Sequence, residues 1–556
     1  MKRDLRAGVL RRTGRPLTAA VAAAVLIALA ACSPDSADKG DSALTDSAAM
    51  KNYAADTTFK ASEPVKFSML WTDWPENPVK PSWQIFNEIK TRTNVSLDLT
   101  NIPFSDAKQK QSLLISSGDA PQIIPLVYTG DEQQFAAADS ILPMSDYVKY
   151  MPNFQKYVQQ WDLQQMINNL RQDDGKYYMV PGLQEVSVPT FTLVIRKDIF
   201  EQVGAGVPQT WDELRNALVK IKAKYPDSKP LADGFEGASM LNYAAHAFGT
   251  VAGWGFGNGT QFDEASGKFI YAATSPGYKT MVEYFHSLAA DGLLDTESFT
   301  KKNEGEGTVT EKFAQGKVFA ASGSNGTVND FSTALDAAGQ KGKYQVVEIA
   351  PPGGPAGQIV EPRNFWNGFM LTAKAKNDPH FLSMLQFLDW LYYSAESRDL
   401  LRWGVEGQTY TKSGDKYTLK PEYSLKSFNI NPNGKTDIGT DLGYSNNVLS
   451  DSTESRALKV SYNPPAYVEY INSVLSTRKP RAPFPPAPLN ADELEQAALL
   501  ATPLKDTVDT NTLKFILGER PMSQWDAYVN ELKGKNLQGY LDLINGAYER
   551  FKKKNG

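Results

Sequence analysis

Cysteine is almost absent from this chain: Cys32 is the only one in 556 residues. A lone cysteine forms no intrachain disulfide. Histidine is scarce too. His246, His286 and His380 are the full set, and none lies in a metal-ligand spacing such as HExxH. There is no Walker A loop, no GxGxxG after a strand, no GxSxG elbow and no DxDxDG calcium loop. These absences remove the common nucleotide, serine-hydrolase and EF-hand readings. The glycine-rich GWGFGNG lacks the dinucleotide spacing and reads as a loop. A glycosidase built on two carboxylates stays open, because so many acidic residues always allow a pair. Long apolar runs are missing as well. The longest unbroken one, Ala19 to Ala31, has 13 residues, and a spanning helix needs roughly 20. Positive charge is not concentrated either. The chain has 58 Lys and Arg against 63 Asp and Glu, net −5. Six of those basic residues and one acidic residue fall within residues 1–31, so the remainder carries −10. No basic stripe stands out, which argues against nucleic acid as a partner.

What is present begins at the N-terminus. Lys2, Arg3, Arg6, Arg11, Arg12 and Arg15 precede the apolar run, and a polar stretch follows it. That order is a secretory signal peptide over residues 1–31. The run ends in LAAC, Leu29 to Cys32, which resembles the lipobox of bacterial lipoproteins. The resemblance implies acylation of Cys32 after cleavage, and a protein held on the cell membrane facing away from the cytoplasm. Stable anchoring takes at least two acyl chains. Residues 32–62 are rich in Ser, Ala, Asp and Thr, and are expected to be a flexible tether.

The remaining chain is long enough for two or more domains. VKFSMLW alternates Val65, Phe67, Met69 and Trp71, as a strand does. A helical stretch with Trp83, Phe86 and Ile89 on one side leads to VSLDLTNI, a second alternating run. A helix from Ser105 ending at Gly118 leads to the buried strand QIIPLV. This is β-α-β-α-β, the pattern of a parallel sheet with helices on its faces. Thr210 and Glu213 form a capping box before Leu214, Ala217, Leu218 and Ile221. Ser275-Pro276 starts a helix burying Tyr278, Met281, Val282, Phe285 and Leu288. Asp378-Pro379 starts another with Phe381, Met384, Leu385, Leu388 and Leu391. Trp525, Tyr528, Val529 and Leu532 mark a C-terminal helix. KPRAPFPPAPLN is expected to be an extended surface connector.

Five segments carry a resemblance, in order: SGDAPQII, IRKDIFEQVGAGVPQTWDEL, FAQGKVFAASG, WGVEGQTY and FILGERPMSQWDAYVNELKGKNLQGYLDLINGAYERF. Together they resemble the family 1 type extracellular solute-binding lipoproteins of bacterial ABC importers, in their longer, oligosaccharide-type form. The calcium loop of the alginate-binding members is not found, so neither that metal nor that sugar is carried over. The resemblance implies an α/β fold of two lobes, of the type II periplasmic-binding-protein kind, with parallel-rich sheets, helices on both faces and a hinge. Lobe 1 would hold residues 63–187 and 362–445, and lobe 2 would hold 188–361 and 446–556. A carbohydrate ligand and ABC permease subunits would be the partners of a monomer without cofactor or metal. Two other readings stand beside it: the same fold binding a peptide or other solute, and a lipid-anchored glycoside hydrolase.

A sugar offers a flat C–H face and a rim of hydroxyls, so its receptor needs aromatic rings and planar polar groups. The chain is 11% aromatic, with 10 Trp and 25 Tyr. Loops expected to open into the cleft offer Asp73 and Trp74, then Tyr128 and Asp131. The second lobe offers Asn242, Tyr243, Trp254 and Asn325. RNFWNG at the crossing offers Arg363 and Trp366, and WGVEG offers Trp403 and Glu406. Trp71 continues the buried face of a strand and is excluded.

Overall fold

The computed structural model describes residues 44–555 other than Glu76, residues 304–306 and Asp451. The leader and Cys32 lie outside the described residues. In chain order the strands that matter are β1 (Val65–Asp73), β2 (Val95–Pro103), β3 (Ile123–Val127), β4 (Val180–Pro181), β5 (Thr192–Arg196) and β6 (Leu231–Ala232). A hairpin follows, of β7 (Thr260–Asp263) and β8 (Lys268–Tyr271). After it come β9 (Ala320–Gly323), β10 (Val346–Ile349), β11 (Ile359–Val360) and β12 (Gly368–Leu371).

Two sheets organise the molecule. The first has the order β2-β1-β3-β12-β4, and the second β10-β5-β9-β6. The helices Gln84–Thr93 and Ala107–Ser117 separate β1, β2 and β3, and β1 pairs in parallel with both other strands. The β-α-β-α-β reading therefore holds. Strand β1 lies between two neighbours, and its end is buried on both faces: Met69, Leu70 and Trp71 are all core. Each sheet mixes strand senses. Strand β12 pairs antiparallel with β3 and β4, because the chain has left for the second sheet and returned. In the second sheet only β6 and β9 run parallel.

The second sheet's core unites distant segments. Leu193 and Ile195 pack with Trp211, Leu214 and Leu218, with Met281 and Phe285, and with Leu504, Phe515, Trp525 and Tyr528 of the C-terminal helices. Each such side chain contributes on the order of 1.5–3 kcal/mol when fully buried. The helix Trp211–Lys224 starts at Thr210, whose side chain accepts from Glu213 N. Helix Pro276–Ala290 buries the five residues expected of it.

Three segments cross between the sheets and meet at Gly182. A Cβ there would lie 2.3 Å from Ser452 O and 2.5 Å from Asn367 O, so only glycine fits. Glu454 N donates to Leu183 O at 2.8 Å, and Leu183 N donates to Thr453 Oγ1 at 3.1 Å. Arg363 bridges this junction: its guanidinium donates to Trp161 O, Gln184 O and Glu185 O at 2.7–3.0 Å.

Three expectations change. Residues 45–62 are not a free tether over their length. Ala48, Phe59 and Ala61 are buried. Met50 N donates to Gln386 Oε1 at 2.9 Å, and Tyr53 OH donates to Asp389 Oδ2 at 2.8 Å. The physical reason lies in the helix Phe381–Tyr393, which is buried all round. A helix with two apolar faces needs cover on both, and this segment supplies one. The helix also begins two residues later than Asp378-Pro379 suggests. Asp378 Oδ1 accepts from His380 N at 2.8 Å, and Asp46 accepts from Ser383 N at 2.7 Å. Burial pushes the Asp46 carboxyl up, but bonds from Ser383 and His380 outweigh it and hold the group below its usual value. Finally, the proline-rich connector is partly packed. Lys479–Pro480 pairs in parallel with β11, and Phe484, Ala487 and Leu489 lean on the second core.

Candidate functional site

A cleft of about 830 Å³ lies where the crossing segments meet the second-sheet loops. Its walls come from residues 184–191 and 361–366, from the helix Ala238–Ala247 and the turn after it, and from residues 324–329. Residues 402, 427–428, 450–467 and 481–484 complete it.

The turn Gly253–Phe256 sets Trp254. Gly253 has φ +54°, and a Cβ there would meet Ala238 O at 2.0 Å. Glycine is the residue that accepts both constraints. The Trp254 ring makes edge-to-face contacts with Phe191 and Phe235, each 5.0 Å away, yet it remains 48% exposed. Trp366 is 45% exposed, and Tyr128 meets it edge-on at 6.1 Å. Phe365 beside it is buried and anchors the segment. Two half-exposed indoles thus line one cleft.

Amides supply the polar lining: Gln184, Asn242, Asn325, Asn329, Asn364 and Asn463. Asn325 Nδ2 donates to Asn463 Oδ1 at 3.2 Å. Asn242 is hydrogen-bonded to Glu361, whose carboxyl burial pushes up to about 7. Arg402, also in the lining, lies 4.4 Å over the Tyr462 ring and donates to Ser445 Oγ at 2.8 Å. Tyr462 donates to Glu454, and Lys459 pairs with the same carboxylate at 3.4 Å. His246 is buried with Nδ1 unpartnered. Burial first, then the positive charge of Arg481, brings its ring down to about 3, so it is neutral at physiological pH. Among the described residues, no three His, Cys, Asp or Glu side chains group to hold a metal ion.

Of the residues singled out from sequence, Asn242, Trp254, Asn325 and Trp366 line the cleft together, and Tyr128 supports Trp366. The others are placed elsewhere. Tyr243 is core: it stacks on Trp211 at 5.9 Å and shares a hydrogen bond with Ser322. It follows Asn242 by one residue, about 100° round the helix, so the two cannot face the same way. Trp403 is 1% exposed, stacked on Tyr417 at 5.4 Å with its Nε1 donating to Ser461 Oγ. Arg363 is the strut described above. Asp73 braces its own loop, accepting from Val79 N and Asn101 Nδ2. Trp74 stacks on Phe104 at 5.2 Å, Asp131 pairs with Lys108, and Glu406 is exposed off the cleft wall.

Sequence reasoning missed Phe191, His246, Glu361, Arg402, Glu454, Arg481 and Phe484. One signal was available: His246 lies four residues after Asn242 and shares its helix face. Arg481 and Phe484 sit among prolines, where no periodicity points inward.

A family model described as "Bacterial extracellular solute-binding protein" matches residues 84–399. The chain is 25% identical over 509 residues to the polygalacturonan/rhamnogalacturonan-binding protein YtcQ of Bacillus subtilis (strain 168), across 89% of this chain and 93% of that one. Two solved structures share its fold. The alginate-binding protein AlgQ2 without calcium ion superposes with TM-score 0.65 at 18% identity, over 89% of this chain and all of that one. FusA, an ABC-transporter substrate-binding protein of S. pneumoniae in complex with kestose, gives 0.61 at 19%, over 88% of this chain and all of that one. The family match spans more than half of the sequence, and the chain belongs to the bacterial extracellular solute-binding proteins.

Proposed function

We propose that the cleft captures an oligosaccharide and delivers it to the permease subunits of an ABC importer. The protein would act as a monomer, held on the outer face of the cell membrane by lipid on Cys32. The observation that carries the ligand class is the pair of half-exposed indoles, Trp254 and Trp366, in one cleft lined by side-chain amides. Rings stack on the C–H face of a sugar, and amides donate to and accept from its hydroxyls. The names of YtcQ, AlgQ2 and FusA's bound kestose support a saccharide. The anchor is supported by the LAAC sequence behind a basic and apolar leader.

Thermal melts against sugar and peptide panels test the ligand. A ligand at 100 times its dissociation constant adds about 2.7 kcal/mol of stability. Stabilisation by peptides and by no sugar would overturn the reading, and release of shorter sugars on incubation would replace it with a hydrolase. For the anchor, Cys32→Ala is expected to lose fatty-acid labelling and leave the membrane fraction or retain its leader. A mutant still acylated and membrane-bound would rule the anchor out.

A further inference from the structure

Beside the cleft lies a smaller cavity of about 360 Å³. His246, Arg481 and Phe484 line both spaces, so they form the wall between them. The smaller cavity has Lys479 and Arg481 in its lining and no aspartate or glutamate.

Arg481 is held there by backbone pairing and by a ring. Its N donates to Val360 O at 3.0 Å, which continues the pairing of Lys479–Pro480 with β11. Its guanidinium lies 3.6 Å from the Phe484 ring centroid. Its Nη1 donates to Ala482 O at 3.0 Å. Its Nε is buried and has no acceptor. Among the described residues Arg481 makes no ion pair. The other cations of the cleft differ: Lys459 is matched by Glu454, and Arg402 is bonded to Ser445 and Ser450. Burial lowers the Arg481 pKa to about 10, and no neighbouring carboxylate opposes that fall. The neutral His246 offers it no compensating charge. A half-buried cation without a counter-ion carries a desolvation cost. The cost is recovered if the counter-ion arrives with the ligand.

We infer that the ligand is an anionic glycan, and that the carboxylate of a uronate residue pairs with Arg481 at the junction of the two cavities. The inference rests on the oligosaccharide reading above. A planar guanidinium matches a carboxylate better than it matches a hydroxyl, and the acid-free side cavity gives that carboxylate no like charge to meet. Glu361, the remaining acid of the cleft without a cation, is hydrogen-bonded to Asn242 instead.

Calorimetry on the full mature chain tests this. The probes are galacturonate, mannuronate and glucuronate-containing oligosaccharides, each beside its carboxyl-reduced form. At least one uronate oligomer is expected to bind 10-fold or more tighter than its reduced form, with affinity falling as salt rises. Arg481→Gln is expected to lose most of that preference, with acid and reduced forms binding within a few-fold of each other, and Arg481→Lys to retain part of it. Melts without ligand verify that each variant is folded. The comparison of acid and reduced sugar on the wild-type chain needs no variant. Equal affinity for acid and reduced forms, or an Arg481→Gln protein that keeps the preference, would overturn the inference and leave the sugar receptor standing. Binding of peptides and of no glycan would overturn both.

Discussion

Trp254 and Trp403 are the same residue type next to glycine, one in a short turn and one ending the helix Ala395–Trp403, and they have opposite fates. Trp254 meets Phe191 and Phe235 at steep angles and stays half-exposed. Trp403 is covered by Tyr417 and Tyr410 of a neighbouring hairpin. The two substitutions should therefore separate. Trp254→Ala or Trp366→Ala is expected to weaken ligand binding by about 1–3 kcal/mol, the scale of burying one apolar side chain, with an unchanged melting temperature. Trp403→Ala is expected to cost about 3–5 kcal/mol of stability. Calorimetry paired with ligand-free melts reads both. Glu361 adds a pH dependence. Its carboxyl, raised to about 7 in the fold, binds a proton that the unfolded chain releases near its ordinary value of 4.5. Between those values the native state holds more protons, so stability falls as pH rises from about 4.5 to 7. Glu361→Gln keeps an amide for Asn242 and removes the charge. It should melt higher than wild type at pH 8 and close to it at pH 4.5. A constant offset across that range would refute the assignment.

At the scale of elements, the helix Phe381–Tyr393 and residues 45–62 depend on each other. Asp389 inside that helix is buried, and its carboxylate accepts from Tyr53 OH, Asn153 N and Phe154 N. Burial pushes the group up to about 6 against the pull of those bonds. Phe59 packs on Phe387. Phe59→Ala is expected to cost about 3–5 kcal/mol, and Tyr53→Phe about 1.5–3 kcal/mol, as for a hydrogen bond to a charged group. Denaturant titration measures both. Wild-type stability in a chain beginning at residue 63 would contradict the packing role. The strand and helix positions were legible in sequence because their periods of 2 and 3.6 are local. The packed part of 45–62 was not. It has no periodicity of its own, and its few anchors, Ala48, Tyr53 and Phe59, bury themselves against a surface over 300 residues away in sequence.

At the scale of the whole molecule, the three crossing segments are hydrogen-bonded to one another at Gly182 and strapped by Arg363. Relative motion of the two sheets would concentrate there. A ligand shifts such an equilibrium only by its differential affinity for the closed form. Small-angle scattering is expected to show a smaller radius of gyration at saturating oligosaccharide than without it. An unchanged radius would argue against closure while leaving binding intact.

The sequence by itself determined the elements and much of their inward faces: the β-α-β-α-β start, the capped helix after Thr210 and the buried stripe from Tyr278 to Leu288. It also marked the segments that carry Trp254, Trp366, Asn242 and Asn325. Those features rest on residues close together in the chain. Only the tertiary structure decided which tryptophans stay exposed, and that Arg363 is a strut rather than a ligand contact. It alone brought His246 beside Arg481, 235 positions later, by laying a proline-rich segment along β11. Exposure and charge compensation are properties of what packs against a side chain, and that partner comes from elsewhere in the sequence.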